Sequence, residues 1–425
     1  MRNATAILTN RRGYSRLFTA GLINGIGDRF SGIAMLALVL HLTGSGMAVG
    51  ISLGVRMLPY LFLAPLGGML GSKLPRKYIM MTTDILRVPV ALSFLWVDGE
   101  NKLWLLYAGS FLLAAGEAIY SPIRKSTIPL LVKRDALLTV NGLEQLMTGC
   151  VLILGAFSGG VVSLWFGPRM AFIMNAASFL VAALLIYGID FKASAASEEE
   201  GTLLIASDKS LIKGEKLQKD GVWRSLGFLI AGSLPLQIVL GYELLVPLTN
   251  GLDNVLISVY AIQEFHAGDI GVGAFYAALG IGLSLSFFAG RYLKRGLLLV
   301  ALTGLLMEGF LLMGISTASN FTVAFFLYIV LSLAGGVGNV CLDTLLMRET
   351  PLALQPVLFG IVSAVGSTLI GISMLVTGWL LDAVEPRMLG FAGGAGGVAI
   401  TVLLGGYSWV RRNKNGSFTV PWKSL

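Results

Sequence analysis

Apolar residues in this chain run in long blocks broken by short polar stretches. Met35 to Leu40, Leu58 to Leu70, Leu103 to Ala115, Phe172 to Ile189, Leu297 to Ile315 and Phe321 to Ala334 are nearly free of charge. With its flanks each block reaches about 20 residues, the length of helix that crosses ~30 Å of hydrocarbon. Only helices and closed barrels satisfy every backbone group in lipid, and these blocks lack the alternation of barrel strands. The pattern predicts helical spans at 17–40, 47–71, 78–98, 103–122, 137–165, 169–189, 241–263, 270–291, 296–316, 320–346, 356–382 and 387–410. A basic segment precedes the first span and no small-residue cleavage site ends it, so it reads as a retained helix.

Charge gives these spans a direction. Of 31 Lys and Arg residues, 25 fall in the termini and loops of one side; only Lys102, Arg169 and Arg387 fall on the other. Arg29, Arg56 and Arg87 lie in or at the ends of spans. The asymmetry predicts an even number of crossings with both termini cytoplasmic, in an inner (cytoplasmic) membrane. The net charge of +8 has no aromatic-interleaved basic face, so nucleic acid is not an expected partner.

Composition adds further exclusions. Charged residues make up 13% of the chain, about half the share of soluble domains. Many of the 54 glycines sit inside apolar blocks, where small residues let membrane helices approach closely. Cys150 and Cys341 both fall in expected spans, and with only His41 and His266 besides, neither a disulfide framework nor a metal site is implied. No nucleophile motif and no phosphate-binding Gly-Lys-Ser/Thr loop is present, so neither an enzyme nor an ATP-driven pump is expected, and no cofactor.

Residues 190–224 form the longest polar stretch, read as a solvated linker. It divides the chain into a six-span unit over 1–189 and a second, with a cytoplasmic tail, over 225–425. Leu226 to Leu240, interrupted by Pro235, reads either as an interfacial helix or as the start of a long seventh span. The halves echo each other at nearly one offset: Asp28 and Asp253 differ by 225, Val49-Gly50 and Val272-Gly273 by 223, and Pro129 and Pro351 by 222, which pairs Glu117 with Asn339. Matches in order at one spacing predict a duplicated six-helix unit, the parallel repeat of major facilitator folds.

Here a resemblance becomes specific. Gly68-Met69-Leu70-Gly71-Ser72-Lys73-Leu74-Pro75-Arg76-Lys77 resembles the loop 2–3 signature of the major facilitator superfamily, which has Asp where this chain has Ser72 and Gly where it has Pro75. Asp28, Leu58-Pro59, Ser121-Pro122-Ile123-Arg124, Ile128-Pro129, Val132-Lys133-Arg134 and Val140-Asn141-Gly142 resemble the third drug:proton antiporter family, to which macrolide-efflux proteins belong. The resemblance implies an all-α membrane protein of twelve transmembrane helices in two pseudo-symmetric six-helix bundles. It also implies the direction of transport, export. In the resembled family the loop 2–3 signature with Asp84 and Arg87 latches the outward-facing state. Gly68, Ser72, Arg76, Lys77, Asp84 and Arg87 are the expected latch here, with ordinary positive-inside anchoring as the alternative.

An ionisable group at mid-bilayer costs ~2.5–3.5 kcal/mol on insertion scales, so each is a functional candidate. Asp28 lies about 17 Å into span one at 1.5 Å per residue, and Asp253 at comparable depth in span seven. In the resembled fold both line the central cavity, where burial lets a carboxyl bind and release a proton. Asp28 has an alternative in a local ion pair with Arg29 or a helix–helix hydrogen bond, and Asp253 in its neighbours Asn250 and Asn254. Glu117 is the lone acid of its span; its alternative is a permanent salt bridge to Arg56 or Arg124. Asp343 and Glu144 are weaker candidates near the cytoplasmic end. Glu308 sits in a span that is peripheral in the resembled fold, with burial against neighbouring helices or a second proton site as its two readings.

These readings converge on a proton-coupled antiporter exporting an amphipathic small molecule such as a drug or macrolide. Asp28, Glu117 and Asp253 are the proton-coupling candidates. Phe30, Arg56, Met57, Tyr60, Tyr120, Arg124 and Asn339 are the substrate-binding candidates. A siderophore or metallophore exporter, with Arg56 and Arg124 binding an anionic chelate, is the alternative, and a lipid-handling flippase or membrane enzyme is the alternative from another class. The expected partners are the substrate, protons and the lipid bilayer, and the expected state is a monomer.

Overall fold

The computed structural model describes residues 12–44, 46–190, 222–290, 293 and 296–414. Most of the expected linker, 191–221, and the tail beyond 414 lie outside the described residues. The described residues form thirteen α-helices and no strand. They are α1 (Arg12–Thr43), α2 (Gly46–Val55), α3 (Leu58–Lys73), α4 (Arg76–Ser93), α5 (Leu103–Leu131) and α6 (Leu137–Tyr187), followed by α7 (Val222–Gly232), α8 (Leu234–Val259), α9 (Gly268–Gly290), α10 (Leu297–Ser316), α11 (Phe321–Glu349), α12 (Gln355–Leu380) and α13 (Pro386–Lys414). Among the described residues, eleven helical segments are long and apolar enough to cross a membrane. Large apolar side chains face outward along them, among them Phe62, Leu184, Leu375 and Trp379 at 70–75% exposure. A water-soluble surface would not carry them, whereas a lipid-facing one requires them.

The span expected at 47–71 is the exception to a single helix. It breaks at Arg56 and Met57 into α2 and α3. Pro59, in the first turn of α3, has no N–H for the Val55 carbonyl, and its ring crowds that carbonyl, so α2 ends and a new helix starts at Leu58. The expected spans 137–165 and 169–189 are two helical segments that follow directly on each other within α6 and turn at Gly167, whose φ of 76° and ψ of 167° are open to glycine, ahead of Pro168.

Two boundaries correct the sequence expectation. The loop expected at 123–136 is largely helix: α5 continues to Leu131 through Pro122 and Pro129, so Arg124 and Lys125 are helix residues. Neighbouring helices tolerate such prolines inside a bundle. Leu226 to Leu240 divides between α7 and α8, with Ser233 capping the N-terminus of α8 through its hydroxyl.

Helices α1, α3, α4, α5 and α6 pack on one another, as do α8 to α13. The two sets meet along a seam made by α3 and α5 against α12, and by α6 against α9 and α11. Glycine permits that approach. A Cβ on Gly68 would lie 2.9 Å from the Val357 Cα, and one on Gly280 would lie 2.9 Å from the Gly149 carbonyl oxygen. Without a hydrophobic driving force between helices in lipid, such close packing is what holds membrane helices together.

Candidate functional site

One buried arginine organises the interior of the first helix set. Arg87, on α4 and 3% exposed, donates from Nη2 to Asp28 Oδ2 on α1 at 3.2 Å and to Glu117 Oε2 on α5 at 2.9 Å. Its Nη1 lies 3.7 Å from Asp84 Oδ1, one turn earlier on α4, and its Nε donates to the Leu113 carbonyl at 3.2 Å. The guanidinium plane sits 4.6 Å from the Phe179 ring centre on α6. Charge-assisted hydrogen bonds through Nη2, a bond from Nε and a ring face hold a cation in a place where an unpaired one would be expensive, although Nη1 itself makes no hydrogen bond among the described residues.

The three carboxylates differ in access. Asp84 is fully buried and accepts from Asn24 Nδ2 at 3.1 Å. Asp28, 21% exposed, accepts a longer bond of 3.5 Å from Asn175 Nδ2, and Glu117 is 32% exposed. Ala118, next to Glu117, packs with Ala64 and with Ala364 of α12, so the Glu117 end of the cluster reaches the seam. Tyr60 packs against the same alanines.

The structure therefore merges residues the sequence kept in two groups. Asp28 and Glu117, expected in coupling, and Asp84 and Arg87, expected in the latch, share one ion cluster. Neither Arg29, Arg56 nor Arg124 is the ion-pair partner of Asp28 or Glu117. The i, i+3 spacing of Asp84 and Arg87 was visible in the sequence, but which helices faced them was not.

Arg124 and Glu144 form a second buried pair at 2.7 Å, 11% and 13% exposed, and Tyr14 OH donates to the other Glu144 oxygen at 3.0 Å. Arg124, expected to bind substrate, and Glu144, expected near cytoplasmic water, are thus joined inside the first helix set. Phe30 is 6% exposed among Met35, Phe94 and Phe172, and Tyr120 is 2% exposed, so both pack in the interior. Met57 lies at the helix break, where a Cβ on Gly371 of α12 would touch its side chain at 3.5 Å, and Asn339 is half-buried on α11.

Across the seam the polar contacts gather at the end rich in Lys and Arg. Lys125 Nζ lies 3.2 Å from Asp343 Oδ1, Asn141 Nδ2 donates to Thr344 Oγ1 at 2.9 Å, and Arg76 donates to the Leu352 carbonyl at 2.8 Å. Arg134 donates to the carbonyl of Arg348. The sequence places Lys125 in the loop after the fourth span, because Pro122 and Pro129 look like helix stops, and its pairing with Asp343 is not legible there. Of the other expected latch residues, Ser72 hydrogen-bonds the carbonyl of Met69 in its own helix, and Lys77 donates to the Ile189 carbonyl at 3.0 Å.

In the second helix set Asp253 accepts from Tyr328 OH of α11 at 3.1 Å, while Asn254 bonds the Asn250 carbonyl instead. Asp253 and Glu308 line one small cavity with Thr249 and Asn250. Glu308 is packed against Gly335, where any side chain would collide with it. Among the described residues no group of three or more His, Cys, Asp or Glu is arranged to hold a metal.

Membrane-length helices in two packed sets, with ion clusters at and beside their seam, define a polytopic helical membrane protein. The chain belongs to the Major Facilitator Superfamily, whose family model matches residues 17–373. It is 23% identical to the uncharacterised MFS-type transporter YfiS of Bacillus subtilis (strain 168), over 48% of this chain and 49% of that one. It is 26% identical to the lysophospholipid transporter LplT of Pectobacterium carotovorum subsp. carotovorum (strain PC1), over 38% of each chain. It is 28% identical to macrolide efflux protein A of Streptococcus pyogenes, over 32% of this chain and 35% of that one. The chain thus spans half or less of the length of these relatives. Among solved structures, the human organic anion transporter MFSD10 superposes with a TM-score of 0.69 at 15% identity, covering 93% of this chain and 99% of that one. A variant of the E. coli fucose:proton symporter FucP superposes with a TM-score of 0.67 at 16% identity, covering 93% of this chain and 98% of that one. These likenesses show the fold.

Proposed function

We propose that this protein is a proton-coupled antiporter that exports an amphipathic small molecule by rocking residues 1–189 against residues 225–425 about a central site. The reading has it in the cytoplasmic membrane with both termini inside. The observation that carries it is the sharing of Arg87 by Asp28 and Glu117, two carboxylates that stay partly exposed while their common cation is buried. A proton arriving on Glu117 removes the charge from its bond to Arg87, and Arg87 then leans on Asp28 and Asp84. Protonation thereby changes the packing of α1, α4 and α5 at once. Asp253, held by Tyr328, is the corresponding candidate in the second helix set.

Lys125 lies eight residues beyond Glu117 on α5, about 12 Å along the helix. The Lys125–Asp343 and Arg76–Leu352 contacts serve in this reading as the bolt that closes the Lys/Arg-rich end, with Gly68 allowing α3 to seat on α12. Movement of substrate requires that bolt to open.

Two named relatives bear on the substrate class, one transporting macrolides and one lysophospholipids. The apolar exterior of α2 and α3 beside Arg56 favours a molecule that enters from the bilayer, so a single-chain lipid is the second reading. The test is transport by the purified protein in vesicles with an imposed proton gradient, using a labelled macrolide, a labelled lysophospholipid and a ferric chelate. Glu117→Gln should abolish gradient-driven uptake of the transported compound and leave its exchange largely intact. Uphill transport retained in full by Glu117→Gln would overturn proton coupling through this residue.

A further inference from the structure

Arg87 gathers Asp28, Asp84 and Glu117 to itself, which leaves two neighbouring arginines without a carboxylate. Arg29 on α1 and Arg56 at the α2–α3 break have no ion pair and no hydrogen bond among the described residues. Asp28 precedes Arg29 in the chain, yet its carboxylate turns to Arg87 and Asn175. Both arginines lie within spans expected from the sequence, Arg29 in 17–40 and Arg56 in 47–71, and Arg56 is ten residues past the start of α2, about 15 Å along a helix.

The Arg56 guanidinium reaches α1 one helical turn from Arg29. Gly32 is one helical turn beyond Arg29, and a Cβ there would lie 3.2 Å from Arg56 Nη1. The stem of Arg29 rests on α6, where a Cβ on Gly155 would lie 2.6 Å from the Arg29 Cβ. Tyr276 of α9, across the seam, is within electrostatic reach of Arg29, as is Arg56. Arg56 lines a small cleft with Asp28, Ser31 and Ser110. Two guanidinium groups brought together with no carboxylate in ion-pair contact repel each other, and inside membrane-spanning segments they are held at a cost; Asp28, which lines the cleft with Arg56, offsets only part of it because its oxygens are bonded to Arg87 and Asn175. An anionic group placed between them relieves both terms, because each guanidinium presents a planar fork that fits phosphate or carboxylate oxygens.

The surroundings say what the rest of the ligand is like. The exterior of α2 and α3 on either side of Arg56 is apolar and exposed, with Ile51, Leu58, Leu61 and Phe62 at 43–70%. A molecule with its charge at Arg29 and Arg56 can keep a hydrocarbon tail along this face. We propose that Arg29 and Arg56 form the headgroup half of the substrate site, and that the substrate is a single-chain amphiphile whose polar end carries a phosphate or carboxylate. The inference deepens the transporter reading above and rests on it. A competing role for the pair is to balance the three carboxylates that share Arg87.

Equilibrium binding to the purified full chain in a non-ionic detergent separates these roles. The probes are lysophosphatidylglycerol, lauroylglycine, an uncharged monoacylglycerol, dodecyltrimethylammonium and inorganic phosphate. Both anionic amphiphiles should bind about tenfold or more tighter than the monoacylglycerol, the effect of one charge-assisted hydrogen bond. Dodecyltrimethylammonium should bind weakest, and inorganic phosphate should compete only far above the amphiphile concentrations. Arg29→Gln and Arg56→Gln should each lower lysophosphatidylglycerol affinity about tenfold while leaving the monoacylglycerol unchanged. Arg29→Lys and Arg56→Lys should keep part of it, and they serve where a glutamine variant fails to fold. Equal affinity for the cationic probe would overturn the proposal. So would an Arg29→Gln/Arg56→Gln protein that binds lysophosphatidylglycerol like the parent, which is the outcome for a pure counter-charge role. Inorganic phosphate competing as well as the lipid would overturn the amphiphile part. Because this binding needs no gradient, it can fail while proton coupling stands, and proton coupling can fail while it stands.

Discussion

Arg87→Gln is the substitution whose cost follows most directly from the geometry. Glutamine keeps a polar amide and much of the length but removes the charge. Three carboxylates then lose their common cation. Asp28 and Glu117, 21% and 32% exposed, regain solvent and add little after screening. Asp84 is 0% exposed and keeps only the bond from Asn24. Removing one partner of a buried ion pair costs about 3–5 kcal/mol, and here nearly all of that falls on Asp84. The assay is SDS-driven unfolding in mixed micelles followed by the fluorescence of the seven tryptophans. Arg87→Gln should lose about 3–5 kcal/mol, and adding Asp84→Asn should restore at least ~1 kcal/mol, because an amide needs no counter-ion. A variant within about 1 kcal/mol of the parent would refute the reasoning. So would a double variant no more stable than Arg87→Gln alone, which would mean that Asp84 is not the residue left uncompensated.

Two further outcomes bear on the seam, each read in a Cys150→Ser/Cys341→Ser background carrying Ala364→Cys. Gly360→Val places a side chain against the Ala64 backbone, where even a Cβ would stand 3.2 Å from the Ala64 carbonyl carbon. It should hold the Lys/Arg-rich end apart and raise labelling by a water-soluble maleimide several-fold; unchanged labelling would show that α3 and α12 do not close there. Lys125→Asp and Asp343→Lys should each raise the same labelling by breaking the 3.2 Å pair across the seam, and the two together should restore it. A double variant as open as either single one would remove this pair from the bolt.

Hydrophobic length located the membrane helices well, because crossing lipid leaves no alternative to an apolar run of that length. The broken second span was also written locally, in Pro59, although length alone read through it. The end of α5 was misplaced for the opposite reason. Pro122 and Pro129 look like stops in isolation, but neighbouring helices carry α5 past both to Leu131.

The site divides along the same line. Composition, charge asymmetry and the offset between Asp28 and Asp253 are linear properties, and they suffice to mark a membrane carrier with ionisable groups inside its helices. Partner choice is not linear. Glu117 could have met Arg56, Arg124 or Arg87, and spacing along the chain does not rank arginines on three different segments. Packing α1, α4 and α5 around Phe179 of α6 selects Arg87 for three carboxylates, assigns Arg124 to Glu144, and leaves Arg29 and Arg56 uncommitted. That charges stand inside the membrane follows from the order of residues alone, because lipid makes each one conspicuous. Which of them meet follows from the packed helices, because an ion pair depends on distances between segments that are far apart in the chain.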